Sequence, residues 1–268
     1  MKLINISDIA NFTLCPRKVY YKLVLGKKEE MNEKIVFGKI KHKFLEEINK
    51  VEEEIISNIK KNESYENIKK RFEEKYEEII KEINEKNQSI IEKFNLKEKI
   101  NNELAKIKEE EIKIRTANIK KFVKLGFYGN ELWQALIPKF LTEVEIRSFV
   151  LGIKGRIDKI EINSKEIIPY EIKSREYNNK VWLSEKLQLS GYSLLIERKF
   201  NTNVDFGFLE FKDKLVKVEI KNWLREKLIQ LKDEIYEILK TKSIPEPTKN
   251  KNICMNCNFN SICFKDKI

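Results

Sequence analysis

The sequence predicts an α+β fold in which helices flank a central mixed sheet. Three observations indicate this fold. Residues 39–125 contain no glycine and no proline, and their apolar residues recur at helical spacing. After Gly126, apolar and polar residues alternate in short runs, as they do in half-buried strands. The predicted order is helices, three strands, a helix, a strand pair and a last helix.

The long segment without glycine or proline is expected to form two to four antiparallel helices. Breaks are predicted at Asn62-Glu63-Ser64, where Ser64 can cap a new helix, and at Asn87-Gln88-Ser89. No heptad repeat runs through the segment, which disfavours a long parallel coiled coil. We interpret residues 44–125 as a helical lid or insert.

The elements after Gly126 follow from alternation and turn residues. Leu151-Gly152 and Asn163-Ser164 are turn signals, so the three strands around them should form an antiparallel meander. The predicted strands are 141–149, 153–162, 166–174, 205–211 and 214–220, and the predicted helices are 182–200 and 220–241. The chain is therefore divided into an N-terminal helical part (1–43), the insert (44–125), the core (126–243) and a cysteine-containing C-terminal segment (244–268).

The composition excludes several classes of protein. The 268 residues include 8 glycines, 5 prolines and 4 cysteines, which excludes collagen-like and disulfide-dense chains. No run of apolar residues is long enough to predict a membrane span, and no signal peptide is recognised at the N-terminus. We therefore expect a cytoplasmic protein, in which thiols stay reduced.

The positive charge is unevenly distributed along the chain. The formal net charge is +11, yet residues 41–124 carry 21 basic and 19 acidic side chains. The surplus therefore lies mostly outside the helical segment. It favours a polyanionic partner such as nucleic acid, and a basic surface that serves only solubility is the alternative.

Two carboxylates and a lysine converge in the predicted meander. Side chains alternate along a strand, so Glu171 and Lys173 point to one side and Ile172 points into the core. The hairpin can bring Asp158 beside Glu171. Both carboxylates and the Ile172 carbonyl can hold divalent cations for phosphodiester cleavage, and Lys173 can orient or deprotonate a water molecule. A surface salt-bridge ladder is the alternative interpretation.

Three other residues are candidates for the same site. His42 is the only histidine in the chain, and its imidazole would suit a Mn²⁺-type site completed by Asp158 and Glu171. Gln188 and Tyr192 are one helical turn apart and share a face. From that face both could hydrogen-bond a phosphate or orient the catalytic lysine.

Four residues are candidates for contacts with nucleic acid. Arg175 and Lys180 are expected phosphate contacts in the loop after the third strand, and Arg156 is a further one. Tyr177 in the same loop is the best candidate for stacking on a base. The nearby aromatic side chains Tyr170, Trp182 and Phe206 could also stack on bases, and most of them are expected in the core.

The four cysteines form a singleton and a triplet. Cys15 precedes a proline near the N-terminus, and Cys254, Cys257 and Cys263 close the chain. Four thiolates suit either tetrahedral Zn²⁺ or a four-iron, four-sulfur cluster. The spacing predicts metal binding and leaves both metals open.

Together these residues resemble the iron–sulfur RecB-type nucleases of the PD-(D/E)xK superfamily, and among them the CRISPR-associated exonuclease family. The long helical segment departs from compact members of that family. The matching positions, in the family's order, are Cys15 in Cys-Pro, His42 in Gly-x-x-x-His, Asp158 in Gly-Arg-Ile-Asp, Glu171 and Lys173 in Glu-Ile-Lys, Gln188 and Tyr192 in Gln-x-x-x-Tyr, and the Cys254, Cys257, Cys263 triplet.

The resemblance implies a nuclease core and a metal-dependent DNA exonuclease that acts on single strands or overhangs. It implies His42, Asp158 and Glu171 as ligands of Mn²⁺ or Mg²⁺, Lys173 as the catalytic lysine, and Gln188 and Tyr192 as supports. It also implies a 4Fe-4S cluster on the four cysteines. The implied partner is a CRISPR integrase complex, for which the nuclease trims prespacer ends.

Two other functions stay open on the motifs alone. A RecB-type nuclease of recombination or repair outside CRISPR would carry the same residues. A non-catalytic DNA-binding protein stabilised by its metal would show the same basic surplus. The complete set of Asp158, Glu171 and Lys173 disfavours the second alternative.

Overall fold

The structure, a computed structural model, describes residues 2–265, with side chains up to residue 263. It forms two compact units. The sheet unit comprises Met1–Glu30, Val144–Glu161 and Lys165–Ile268, and the helical unit comprises Met31–Glu143 and Ile162–Ser164. The predicted α+β fold is confirmed.

The described elements are numbered in chain order. They are β1 (Ile4–Asn5), α1 (Ile6–Phe12), α2 (Pro16–Leu23), α3 (Glu33–Ser57), α4 (Tyr65–Lys86), α5 (Gln88–Lys93), α6 (Lys97–Lys124), α7 (Gly129–Ala135), β2 (Lys139–Ser148), β3 (Ile153–Ile162), β4 (Ile167–Ile172), α8 (Leu183–Phe200), β5 (Phe206–Glu210), β6 (Leu215–Glu219), α9 (Asn222–Thr241), α10 (Lys251–Met255) and α11 (Asn260–Lys265).

The central sheet is mixed, as the sequence predicts. Its strand order is β1-β3-β4-β5-β6, and β2 also pairs with β3. β1 runs parallel to β3, β4 runs parallel to β5, and β5 and β6 are antiparallel. The connections from β2 to β3 and from β3 to β4 are too short for a crossover, so these pairs form the expected antiparallel meander.

Helix α8 connects the parallel strands β4 and β5 and packs on both. It approaches the sheet closely because two glycines leave room for one buried isoleucine. A Cβ at Gly191 of α8 would lie 2.7 Å from Ile6 Cγ2, and a Cβ at Gly155 of β3 would lie 2.8 Å from Ile6 Cδ1. This close packing fixes where the side chains of α8 stand over the ends of the central strands.

The helical unit contains α3 to α7. The two predicted breaks are present: the Ser64 hydroxyl accepts a hydrogen bond from the Asn67 amide at the start of α4, and α4 ends before Asn87. The apolar faces of the helices meet in a core that includes the fully buried side chains Phe44, Ile48, Phe72, Tyr76, Ile100 and Leu104. The short helix α7 was not predicted.

The boundaries of the predicted segments do not coincide with those of the two units. The predicted insert, 44–125, lies wholly within the helical unit, whereas the predicted N-terminal part, 1–43, is divided between the two units. The predicted boundaries themselves stay a prediction, and residues 1 and 266–268 of the outer segments lie outside the described residues. None of the described helices combines the length and apolar character that crossing a bilayer requires.

Candidate active site

The two predicted carboxylates lie on neighbouring central strands of the sheet unit. Asp158 on β3 and Glu171 on β4 are only 8% and 7% exposed. The backbone amide of Ile172 donates a hydrogen bond to Asp158 Oδ2 over 2.8 Å. This bond holds the aspartate side chain against the strand that carries Glu171, as the predicted hairpin requires.

Glu171 accepts hydrogen bonds from three side chains. Lys173 Nζ lies 2.9 Å from Oε1, and Oε2 accepts from Gln188 Nε2 at 2.7 Å and from the Tyr192 hydroxyl at 2.9 Å. Gln188 Nε2 also lies 2.9 Å from the Tyr192 hydroxyl oxygen. The three donors together fix the orientation of the Glu171 carboxylate.

Strand and helix periodicity explain why these four side chains meet. Glu171 and Lys173 are two residues apart at the end of β4, so they leave the same side of the strand. Gln188 and Tyr192 are four residues apart on α8, so they share the face that packs on β4. Lys173 Nζ also lies 3.5 Å from Gln188 Oε1. The structure thus brings together Asp158, Glu171, Lys173, Gln188 and Tyr192.

Tyr192 is held in its neutral form. Its burial, reinforced by the negative charges of Glu171 and Asp158, raises the pKa of the phenol well above its usual value. A phenol that stays protonated remains a hydrogen-bond donor to Glu171. Tyr192 therefore acts as a fixed donor and does not supply charge.

His42 belongs to the helical unit and has a carboxylate partner there. Its Nδ1 lies within hydrogen-bonding distance of Glu143 Oε1. Glu143 is buried and has a φ of 54°, a left-handed conformation that is rare for a residue with a side chain. Glu143 was not predicted as a site residue, because a glutamate in a charged, alternating segment gives no signal of burial. The role of His42 as a metal ligand stays a prediction.

The four predicted nucleic-acid contacts have different surroundings. Arg156 on β3 and Lys180 in the loop after β4 are exposed. Arg175 is bound by Glu185, which it contacts at 2.8 Å, and Tyr177 packs on Phe211 with ring centres 5.1 Å apart. Because Arg156 and Lys180 are exposed, they are better placed to contact phosphate than Arg175, whose guanidinium is bound by Glu185.

All four cysteines line one small cavity of the sheet unit, with a volume of about 60 Å³. Cys15 is buried, and the three C-terminal cysteines are half-buried. The Phe259 amide lies 3.5 Å from Cys257 Sγ, and Arg17 Nη1 lies 4.0 Å from Cys263 Sγ. Burial raises the pKa of the Cys257 thiol. The position of Arg17 beside a thiol was not predicted from the sequence.

Comparison with known families gives one match along almost the whole chain. A sequence model of the PD-(D/E)XK nuclease superfamily matches residues 4–264. This range includes every residue of the hydrogen-bonded cluster around Glu171 and all four cysteines.

Two curated relatives match part of the chain. A CRISPR-associated exonuclease Cas4/endonuclease Cas1 fusion from Leptospira interrogans serogroup Icterohaemorrhagiae serovar Lai is 29% identical over 154 residues, which is 53% of this chain and 28% of the relative. A CRISPR-associated exonuclease Cas4 from Francisella tularensis subsp. novicida is 27% identical over 128 residues, 45% of this chain and 64% of the relative. The chain thus covers less than two thirds of either relative's length.

A solved structure of a protein named SSO0001 is also similar in part. It is 25% identical, and the match covers 46% of this chain and 59% of that chain with a TM-score of 0.31. So low a TM-score adds nothing to the fold described above.

Proposed function

Because the chain belongs to the PD-(D/E)XK nuclease superfamily, we propose that it is a metal-dependent exonuclease that cleaves single-stranded DNA or overhanging ends. The observation that carries the proposal is the buried cluster in which Lys173, Gln188 and Tyr192 all hydrogen-bond Glu171 next to Asp158. This arrangement suits phosphodiester hydrolysis, because it places acceptors for a cation beside a positively charged donor.

We propose that Asp158, Glu171 and the carbonyl of Ile172 hold Mn²⁺ or Mg²⁺, with His42 as a further ligand. The donor set fits such an ion, because hard divalent cations prefer carboxylate and carbonyl oxygens and Mn²⁺ also accepts imidazole. When bound, the ion supplies Lewis-acid activation of water and offsets negative charge on the phosphate.

The protein's own side chains would orient the water molecule, the Glu171 carboxylate and the DNA phosphates. Lys173, held at 2.9 Å from Glu171, can orient the attacking water or donate to a phosphate oxygen. Gln188 and Tyr192 keep the Glu171 carboxylate in one orientation, so that it need not reorganise during the reaction. Arg156 and Lys180 are exposed and can bind flanking phosphates.

We propose that the biological role is to trim prespacer ends during CRISPR adaptation. The names of the two curated relatives support this proposal, because both are CRISPR-associated exonucleases and one is fused to the endonuclease Cas1. A CRISPR integrase complex is accordingly the proposed partner. We also propose that the protein works in the cytoplasm, where cysteine thiols stay reduced and can bind a metal group.

We propose a 4Fe-4S cluster as the group held by Cys15, Cys254, Cys257 and Cys263. Their common cavity supports it, because all four cysteines are among the residues that line it. The backbone amide of Phe259 and the guanidinium of Arg17 approach two of the sulfurs, and such donors stabilise sulfur that carries negative charge. When bound, the cluster would cross-link the first and last segments of the sheet unit.

The first experiment measures cleavage of end-labelled single-stranded and duplex DNA by protein purified without oxygen. The assay contains Mn²⁺, Mg²⁺ or EDTA and compares the parent with Lys173→Ala. Lys227→Ala on α9 is the matched control, because it removes a lysine of the same unit whose only hydrogen bond among the described side chains is an exposed one with Gln230.

We expect the parent and the Lys227 variant to degrade single-stranded DNA with either cation and to stop in EDTA. Lys173→Ala should lose about 10²- to 10⁴-fold in rate, the usual contribution of a positioned acid or base. DNA that is bound but never cut, or cut equally by the Lys173 variant, would rule out the catalytic assignment.

A further inference from the structure

Three aromatic and two cationic side chains pack on one another in the part of the sheet unit that follows Lys173 in the chain. Arg175 Cζ lies 4.6 Å from the ring centre of Trp182 and 4.7 Å from that of Phe211. Tyr177 also packs on Phe211, and Lys214 Nζ lies 4.9 Å from the Tyr177 ring centre. We call these five residues the stacking ladder.

Arg175 is the fixed centre of the ladder. Its guanidinium donates to Glu185 at 2.8 Å, to the Asn178 side chain at 3.1 Å and to the Glu176 carbonyl at 3.2 Å. Glu185 also accepts a hydrogen bond from the Trp182 amide at 2.9 Å. These hydrogen bonds therefore fix the position of the Arg175 guanidinium, which in turn packs on the Trp182 indole.

Trp182 differs from the other rings because a large part of it faces solvent. The sequence left Trp182 open as a stacking ring or a core residue; in the structure it is 41% exposed, whereas Phe211 is buried. The Arg175 guanidinium covers part of the indole, and the solvent-exposed remainder is available for contact with a ligand. A rigid aromatic ring exposed in this way is a suitable platform for an unpaired base.

The position of the ladder along the chain places it next to the proposed reaction. Lys173 and Arg175 are two residues apart after β4, and the Lys173 amide donates to the Glu210 carbonyl while the Lys212 amide donates to the Arg175 carbonyl. Trp182 immediately precedes α8, and Gln188 follows about 9 Å further along the helix axis. Nucleotides adjacent to a phosphate at Lys173 would therefore be within reach of the indole.

We propose that Trp182 stacks on a base of single-stranded DNA within a few nucleotides of the cleaved phosphate, with Arg175 as its positioning residue. This inference rests on the proposed nuclease function and extends it to the selection of unpaired substrate. Stacking on an indole requires a base that is not already paired and stacked in a duplex, and it tolerates any sequence because every base has an aromatic face.

The test compares Trp182→Leu with Trp223→Leu as a matched control. Trp223 lies on α9 of the same unit, is 48% exposed, and has no ring contact among the described residues. Both substitutions are made in the Lys173→Ala background, so that DNA is bound without being cut. The probes are an oligo-deoxythymidine strand, its duplex with oligo-deoxyadenosine, and strands with a single abasic site moved along the sequence.

We expect Trp182→Leu to bind the single strand roughly 5- to 150-fold more weakly, the range found when one base-stacking aromatic is removed. Duplex binding should change little, and Trp223→Leu should match its parent on both probes. Binding of the single strand should quench tryptophan fluorescence in Lys173→Ala and in its Trp223→Leu derivative. The quenching should be much smaller in its Trp182→Leu derivative. One abasic position should weaken binding by the parent without affecting Trp182→Leu.

Equal single-strand affinity of the two tryptophan variants would overturn the proposal. So would an equal loss on single strand and duplex, because that pattern indicates general damage to the surface. Trp182→Tyr separates packing from stacking: it should retain most of the affinity, and a tyrosine variant as weak as leucine would contradict a stacking role.

The two proposals fail in different ways. If the parent cuts DNA through Lys173 and the Trp182 variant behaves like the Trp223 variant, only the stacking proposal is wrong. If the parent never cuts DNA but its fluorescence is quenched by the single strand through Trp182, the nuclease proposal is wrong and the binding site stands.

Discussion

At the scale of single residues, Glu171 is the most constrained group of the candidate site. Its two oxygens accept from a lysine, an amide and a phenol, all on residues that β4 and α8 place at fixed spacing. Each of these donors can be removed without changing the carboxylate itself. The contribution of orientation can therefore be separated from the contribution of charge.

Removing the Tyr192 hydroxyl tests orientation. We expect Tyr192→Phe to lower the rate of DNA cleavage by roughly 10- to 100-fold, because a hydrogen bond to a charged group contributes about 1.5–3 kcal/mol. Single-turnover cleavage assays with Mn²⁺ measure the effect.

Tyr170→Phe is the matched control for this substitution. The Tyr170 hydroxyl donates to Glu161 at 2.6 Å, so this variant also loses a hydrogen bond to a carboxylate, but one outside the Glu171 cluster. Both variants should lose a similar amount of thermal stability, and only Tyr192→Phe should lose activity. A parental cleavage rate in Tyr192→Phe would exclude the positioning role.

The sequence allowed some of these residues to be predicted and not others. Glu171 meets Lys173, Gln188 and Tyr192 because of the side-chain periodicity of one strand and one helix. The local sequence determines both of these elements. Glu143 could not be predicted, because its burial and positive φ depend on tertiary packing. Arg175 was predicted to bind phosphate from its charge, and the Glu185 partner that engages it comes from a different element.

At the scale of elements, the close approach of α8 to the sheet decides whether the site forms. Ile6 of α1 fills the space beside Gly191 and Gly155, and the isoleucine is fully buried. A side chain at position 191 would overlap Ile6, so that α1 or α8 has to shift. If α8 shifts, Gln188 and Tyr192 move with the helix.

Gly191→Ala is therefore expected to destabilise the protein although alanine is the better helix former. The new methyl group would lie 2.7–2.9 Å from three Ile6 carbons, and such overpacking costs about 1–3 kcal/mol. The gain in helix propensity, about 1 kcal/mol, offsets part of that cost. Melting temperature and DNA cleavage should both fall.

Gly38→Ala, which also replaces a glycine within a helix, is expected to have the opposite effect on stability. No atom lies within 4 Å of a Cβ added at Gly38 of α3, so the substitution should raise stability by about 0.5–1 kcal/mol. An increase in melting temperature for Gly191→Ala as large as that for Gly38→Ala would show that α8 can relax around Ile6.

Strand alternation and turn residues were sufficient to predict β2 to β6 and their approximate ends. They did not predict β1, because two residues are too short for an alternating pattern. Its pairing with Ile153 and Lys154 also joins positions far apart in sequence, for which a single sequence carries no local signal.

At the scale of the whole chain, the sheet unit is assembled from segments that are distant in sequence. Cys15 comes from the first segment, and the other three cysteines come from the last. A metal group bound by all four would therefore stabilise the folded unit much more than the unfolded chain, which lacks a preformed site.

Cys15→Ser is expected to lower both metal content and stability. The variant should contain less iron and acid-labile sulfide per chain and should melt at a lower temperature, because loss of one thiolate weakens a site coupled to folding. Met255→Ser, at an exposed position in α10, is the control and should match the parent. Zinc without sulfide in the parent would replace the proposed cluster by a structural zinc site.

The separation of Cys15 from its three partners also has a consequence for the order of events during translation. At about 5–20 residues per second, Cys15 is synthesised roughly 10–50 s before Cys254. The helical unit, whose sequence is almost continuous, can complete its core within that interval, whereas the cysteine cavity cannot close. If the proposed metal group is bound, the sheet unit can close around it only after Cys263 has been synthesised, so a nascent chain that stops before Cys254 would lack three of the four proposed ligands.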